Sequence, residues 1–167
     1  MSTLVVYASM YGNTRQLAEA IAGEIPGARV IAGGSVSDAD LAAADRVIVG
    51  APTHAFGMSR PSTRAQAEVA LRTAPELALE PDALGTGVRE WLHRVDLAGK
   101  QFAVFDTRAT PAPLPHAAPR IHALARDAGG APLARAESFR VTRQNTLRPG
   151  ELDRARAWGR QLASVPV

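Results

Sequence analysis

Cysteine is absent from all 167 residues, which excludes disulfides, thiolate nucleophiles and cysteine-bound metal centres. Lysine is almost absent too: Lys100 stands alone among 19 basic residues, and arginine supplies the rest. No apolar run is long enough to cross a bilayer, and the first residues lack the basic and apolar regions of a secretory signal. A cytoplasmic protein with no membrane partner is therefore expected. Neither the lysine-bearing Walker A sequence nor the GxGxxG dinucleotide spacing occurs. His93, His116 and His122 have no metal-ligand spacing, so no metal site is expected.

The arginines run from Arg15 to Arg160 without forming a block. Guanidinium forks suit phosphate oxygens, but dispersed charge of this kind reads as a solvated face. The net charge of +3 therefore implies no nucleic-acid partner. Hydrophobic residues make up 46% of the chain and charged ones 21%, the balance of a globular protein. The length suits one domain with a full core over residues 1–167.

Residues 3–8, Thr-Leu-Val-Val-Tyr-Ala, are short, apolar and β-branched, the pattern of a strand buried on both faces. Residues 28–32, 46–50, 101–106 and 136–142 read as four more strands. Leu17, Ala18, Ile21, Ala22 and Ile25 share one face at helical spacing before Pro26-Gly27 stops that helix. Further helices are predicted over residues 38–44, 62–74, 119–128 and 149–164. The last carries Leu152, Ala155, Gly159 and Leu162 as an apolar stripe flanked by Trp158. Strands alternating with helices imply a parallel sheet covered on both faces through right-handed crossovers.

About fifty residues separate the third and fourth strands, more than a crossover needs. This excursion, residues 58–99, holds one helix, a run with two prolines and two glycines, and Val88-Arg89-Glu90-Trp91-Leu92. It suits either a surface detour docked by Trp91 and Leu92, or a lid or dimer contact beside a site.

The first strand meets the first helix at Ser9-Met10-Tyr11-Gly12-Asn13-Thr14. Hydroxyls, an amide and a glycine at that junction aim backbone N–H groups and the helix N-terminus at one point, which suits a phosphate. In a doubly wound sheet, ligands bind outside the carboxyl ends of the strands where the order reverses. Two more loops leave strands at that edge. The first is Ala51-Pro52-Thr53-His54-Ala55-Phe56-Gly57-Met58, whose side chains can hold an aromatic ring by stacking and hydrogen bonding. The second spans residues 107–116.

The run Val5-Val6-Tyr7-Ala8-Ser9-Met10-Tyr11-Gly12-Asn13-Thr14, with Gly50-Ala51-Pro52-Thr53 after the third strand, resembles the flavodoxin family. The likeness follows nearly the whole succession of elements. Phe56-Gly57-Met58-Ser59-Arg60-Pro61-Ser62-Thr63-Arg64 is similar to a subgroup of small flavodoxin-like proteins of poorly defined role. The resemblance implies an α/β fold: a flavodoxin-like, doubly wound, five-stranded parallel sheet of order 2-1-3-4-5 in a three-layer αβα sandwich. It also implies FMN as cofactor. Ser9, Met10, Tyr11, Gly12, Asn13 and Thr14 would surround its phosphate, and Pro52, Thr53, His54, Ala55, Phe56 and Gly57 would lie along the isoalloxazine ring. Asp106, Thr107 and Arg108 would open the third cofactor loop.

Two departures from the family stand out. His54 occupies the place of a frequent tryptophan, exchanging an indole for a donor that becomes a cation below about pH 6.5. Residues 109–115 carry three prolines where a covering tyrosine is frequent, leaving Phe56, Met58 or His116 to take that side of the ring. The +3 charge, with His54 and Arg108 near the flavin, implies a less negative potential than that of an acidic carrier.

Two classes of function follow. The first is an FMN-dependent electron carrier or oxidoreductase, quinone-reductase-like if it is an enzyme. It would work with a redox partner protein or a small quinone-like acceptor, as a monomer or a homodimer. His54 is then the candidate for proton transfer near the ring. The second is a non-catalytic module that kept the fold and binds another phosphate-bearing ligand or a protein partner. A phosphoreceiver is set aside, because Ala8-Ser9-Met10 stands where that chemistry needs paired acids. With no nicotinamide fingerprint, electrons would arrive directly over the flavin face or from a separate reductase.

Overall fold

β1 (Thr3–Tyr7) runs through the sheet interior because its side chains alternate between two buried faces, Leu4 and Val6 into one and Val5 into the other. The computed structural model describes residues 1–54, 56–72, 74, 76–109 and 113–166, without the side chains of residues 67 and 70. β2 (Arg29–Ala32) and β3 (Arg46–His54) flank β1, both parallel to it. β4 (Gly57–Met58) folds back antiparallel onto the end of β3. β5 (Gln101–Arg108) pairs parallel with β3 from Arg46 opposite Gln101 to Pro52 opposite Thr107. Beyond β5 the edge is formed by β6 (Ala131–Pro132) and β7 (Glu137–Arg140), each parallel to β5.

The order is therefore β2-β1-β3-β5, then β6 and β7. This is the expected doubly wound arrangement, with its fifth strand in two pieces and a short hairpin strand added. In the first piece the Ala131 and Leu133 N–H groups donate to the Lys100 and Phe102 carbonyls at 2.9 and 2.7 Å, so Pro132 between them sits where no N–H is needed towards β5. Leu133 and Ala134 pack against the core before β7 resumes the edge.

α1 (Asn13–Ala22) and α6 (Glu151–Ser164) cover one face. Leu17, Ile21, Trp158 and Leu162 lie there against Val5, Ile48, Phe105 and Phe139. α1 and α6 approach closely at Gly159, where a methyl group would stand 2.6 Å from the Ile21 carbonyl oxygen. α2 (Asp38–Ala42), α4 (Val88–Leu92) and α5 (Ala117–Asp127) cover the opposite face. Trp91, Leu92, Ile121 and Leu124 pack there on Leu4, Val49, Phe102 and Val104. Three layers result.

α3 (Pro61–Ala70) buries only Arg64 among its described side chains. From there residues 76–87 cross the carboxyl ends of β1 and β2. The Glu80 N–H donates to the Met10 carbonyl at 2.8 Å, and Leu79 and Ala83 pack on Met10 and Tyr11. The chain then returns to the core through α4, with Trp91 and Leu92 both buried. Among the described residues, no helix is long and apolar enough to cross a membrane.

Candidate functional site

Gly12 precedes α1 with φ at 89°, a conformation that glycine reaches at no steric cost. No side chain caps α1 among the described residues. Its first N–H groups have no intrahelical partners, and the positive end of the helix dipole points the same way. Two buried hydroxyls lie beside this terminus. Ser9 Oγ accepts the Gly12 N–H at 3.1 Å, and the Thr14 and Thr107 hydroxyls meet at 3.2 Å. Ser9, Thr14, Thr107, Pro52, His54 and Asn145 are among the residues around a cavity of about 90 Å³. Met10, Tyr11, Asn13, Thr53 and Arg108 also border it.

The far side of this loop is held from outside. Glu80 Oε1 lies 3.1 Å from where a Cβ on Gly12 would stand, and its partner oxygen pairs with Arg15 at 3.2 Å. Met10 is buried against Ala83. Burial raises the Tyr11 phenol above its ordinary pKa.

The second loop is a hairpin. β3 continues to His54, and Thr53 and His54 face Met58 and Gly57 across the turn. Phe56 sits in that turn with φ at 65°, an uncommon conformation for a bulky residue, and is 56% exposed. Ala55 lies outside the described residues. Burial pushes the His54 pKa below its ordinary value, and the Arg64 charge adds to the shift. The ring is therefore neutral at pH 7. Arg64 is itself buried and pairs with Glu90 at 3.2 Å, while Glu90 also accepts the Gly87 N–H at 2.9 Å.

In the third loop Thr107 and Arg108 reach the cavity, whereas Asp106 lies beneath it, on the face that carries α5. The Asp106 carboxylate accepts from the Ser138 hydroxyl at 2.7 Å, the Ala118 N–H at 2.9 Å and the Thr53 hydroxyl at 3.1 Å. His116 Nδ1 sits 2.7 Å from the same group. Asp106 and the Thr53 hydroxyl thus serve the start of α5, since Thr53 Oγ1 also accepts the Ala117 N–H at 3.0 Å. Residues 110–112 of this loop lie outside the described residues.

A fourth loop, not foreseen from the sequence, completes the rim. After β7 the chain turns back through a bridge between Val141 and Leu147, with Asn145 at φ 58°. Asn13 Nδ2 donates to the Asn145 carbonyl at 2.6 Å, tying this turn to the first loop. Its signal was the turn-forming run Thr142-Arg143-Gln144-Asn145-Thr146 between two apolar residues.

The fold and this four-loop rim define the class: a doubly wound α/β protein with an anion-seeking junction at the carboxyl edge of its sheet. Residues 4–64 match the family model described as a flavodoxin domain. No curated protein sequence matches the chain. Among solved structures, a flavodoxin from the domain Archaea is 22% identical with a TM-score of 0.66, over 98% of this chain and 96% of that one. Oxidised flavodoxin 1 from Bacillus cereus is 21% identical with a TM-score of 0.68, over the whole of both chains. A flavodoxin, WrbA-like protein from Agrobacterium tumefaciens is 25% identical with a TM-score of 0.62, over 98% and 96%. The likeness to a flavodoxin domain in sequence thus covers residues 4–64, and the likeness to flavodoxins in fold covers nearly the whole chain.

Proposed function

We propose that this protein binds FMN and acts in electron transfer or flavin-dependent oxidoreduction. The observation that carries the reading is the uncapped N-terminus of α1 behind Gly12, with the buried hydroxyls of Ser9 and Thr14 beside it. These donors suit a phosphate without a cationic side chain in the cup. Ser9, Tyr11, Gly12, Asn13 and Thr14 would hold the phosphate of FMN through hydroxyls and backbone amides. Phe56, projected into solvent, offers a flat ring a stacking surface, with Pro52, His54 and Gly57 beside it. Arg108 and Thr107 close the far side.

FMN supplies the redox chemistry when bound, while the protein sets access and electrostatics. His54, neutral at pH 7, is the candidate group for holding or passing a proton at the ring edge. Thr53 and Asp106 act beneath the site by fixing α5. The acceptor is a small quinone-like molecule or a redox protein. Likeness to flavodoxin structures supports the fold on which this reading depends.

The test is the visible spectrum of the purified protein, followed by titration of FMN with the fluorescence observed. Flavin bands, or stoichiometric quenching of FMN fluorescence, are expected. A colourless protein that leaves FMN fluorescence unchanged would overturn the reading and leave a module that binds another ligand.

A further inference from the structure

Arg108 ends β5 and Arg140 ends β7, and the two residues are directly opposite in the parallel register. Their side chains leave the sheet on one face, the face on which Asp106 and Ser138 lie one rung below. Like charges on opposed strand positions repel, and an acidic neighbour normally relieves them. None does so here. Among the described residues, neither guanidinium makes a hydrogen bond or an ion pair, and the Nε of each is buried without a partner. Arg154 is matched by Glu137 and Glu151; Arg64, whose Nε is likewise buried without a partner, still has its terminal nitrogens on Glu90.

A third donor is held at the rung below, beside Asp106 and Ser138. His116 Nδ1 is held by Asp106 at 2.7 Å, and the His116 side chain is 23% exposed. Its Nε2 edge has no hydrogen-bond partner among the described residues and turns away from the buried carboxylate. Asp106 accepts from Ser138 at Oδ1 and from Thr53 and Ala118 at Oδ2, and it forms no ion pair with either arginine among the described residues. Two arginine cations therefore stand together with no anion assigned to them among the described residues, above an imidazole held by Asp106. A buried N–H without a partner is costly, and here two stand side by side.

We propose that Arg108 and Arg140, with His116 at their base, form an oxyanion subsite for the phosphate or carboxylate group of a small ligand. It is separate from the phosphate cup of α1, which is built from neutral donors and lies towards the opposite face of the sheet. Planar guanidinium forks match both kinds of oxyanion. Arg108 also borders the cavity of Ser9 and Thr14, so a ligand anchored on the arginines lies next to that cavity. The subsite stands without FMN; its use in selecting an anionic redox substrate rests on the redox reading above.

The test follows the arginine Nε–H and backbone amide signals of the full chain by nitrogen–proton NMR at constant ionic strength. Inorganic phosphate is titrated in one series and benzoate in another. Saturable shifts of the Arg108 and Arg140 Nε–H signals are expected. Affinity should fall about tenfold in Arg140→Gln, as for loss of one charge-assisted contact, and stay unchanged in Arg120→Gln, at an exposed position of α5. Saturation by phosphate alone, by benzoate alone, or by both supports the subsite and names its ligand group.

A linear response, or equal affinity in wild type and Arg140→Gln, overturns it. So does a phosphate response confined to the Asn13 and Thr14 amides. If Arg140→Gln does not fold, Arg140→Lys keeps the charge without the fork: weakened saturation supports the proposal and equal affinity overturns it. An FMN titration of the same sample separates the two readings. Saturable arginine shifts without FMN quenching leave the subsite standing and the redox reading refuted.

Discussion

Asp106, fully buried near the end of β5, holds His116 Nδ1 at 2.7 Å and thereby fixes the residue that immediately precedes α5. The same carboxylate and the Thr53 hydroxyl take the N–H groups of Ala118 and Ala117. His116, in the N-cap position, supplies no side-chain cap itself. Two strands thus cap a helix from below, and a buried carboxylate at a helix N-terminus also gains from the dipole. Asp106→Ala leaves several donors unpaired in the interior and is expected to cost about 3–5 kcal/mol. Thr53→Val removes one cap and is expected to cost about 1 kcal/mol. Urea denaturation measures both, and coincident midpoints for wild type and Asp106→Ala would refute this account.

That relationship explains what the sequence could and could not display. β1 and its loop were legible because a doubly buried strand is a continuous apolar run and the phosphate motif is local. α1 was legible in its 3.6-residue spacing, although it ends at Ala22 and residues 23–27 form turns. The end of β3 was not legible: residues 51–54 read as loop because Pro52 weakens a strand pattern. They remain extended because Ala51 and Pro52 pair with Asp106 and Thr107 while β4 folds back on Thr53 and His54. α5 starts at Ala117 rather than at residue 119 because its caps come from Thr53 and Asp106 on other strands. The fourth loop carried only generic turn chemistry, and its link from Asn13 to Asn145 spans 132 positions.

Gly50 and Phe105 set the closest packing between β3 and β5. They are opposite in register, and a Cβ on Gly50 would stand 2.1 Å from the Phe105 ring. The ring cannot retreat freely, since Phe139 and Trp158 hold it edge-on. Gly50→Ala is expected to lower stability by about 1–3 kcal/mol through overpacking. Phe105→Leu made on top of it should recover part of the loss. A double-mutant cycle in urea then shows a coupling well beyond additivity; additive effects would mean that the ring moves aside without cost.

His54 gives the protein a pH dependence of fixed sign. Burial, reinforced by Arg64, pushes its folded pKa below the ordinary 6.5. Between those two values the unfolded chain binds more protons than the native one, so stability falls as pH drops through the window and is unaffected above it. His54→Gln removes this contribution. The stability of wild type relative to His54→Gln should therefore be lower at about pH 5 than at about pH 8. Chemical denaturation at the two pH values measures it, and a pH-independent difference would show that the imidazole titrates as freely when folded as when unfolded.

Thr14 and Thr107 provide the sharpest test of the cofactor reading, because their hydroxyls meet across the cavity floor at 3.2 Å. With Thr107 donating in that contact, Thr14 accepts through a lone pair and keeps its single O–H to donate to a phosphate oxygen. Thr14→Val keeps the shape, removes that capacity and leaves the Thr107 hydroxyl without its partner. FMN affinity is expected to fall about tenfold or more, the worth of a charge-assisted hydrogen bond. Thr107→Val breaks the same contact but removes no group assigned to the phosphate, so its effect should be several-fold smaller. Fluorescence titration of both variants gives the order. Equal losses would mean that Thr14 acts through its contact with Thr107, and that the phosphate is held by the α1 amides and Ser9 alone.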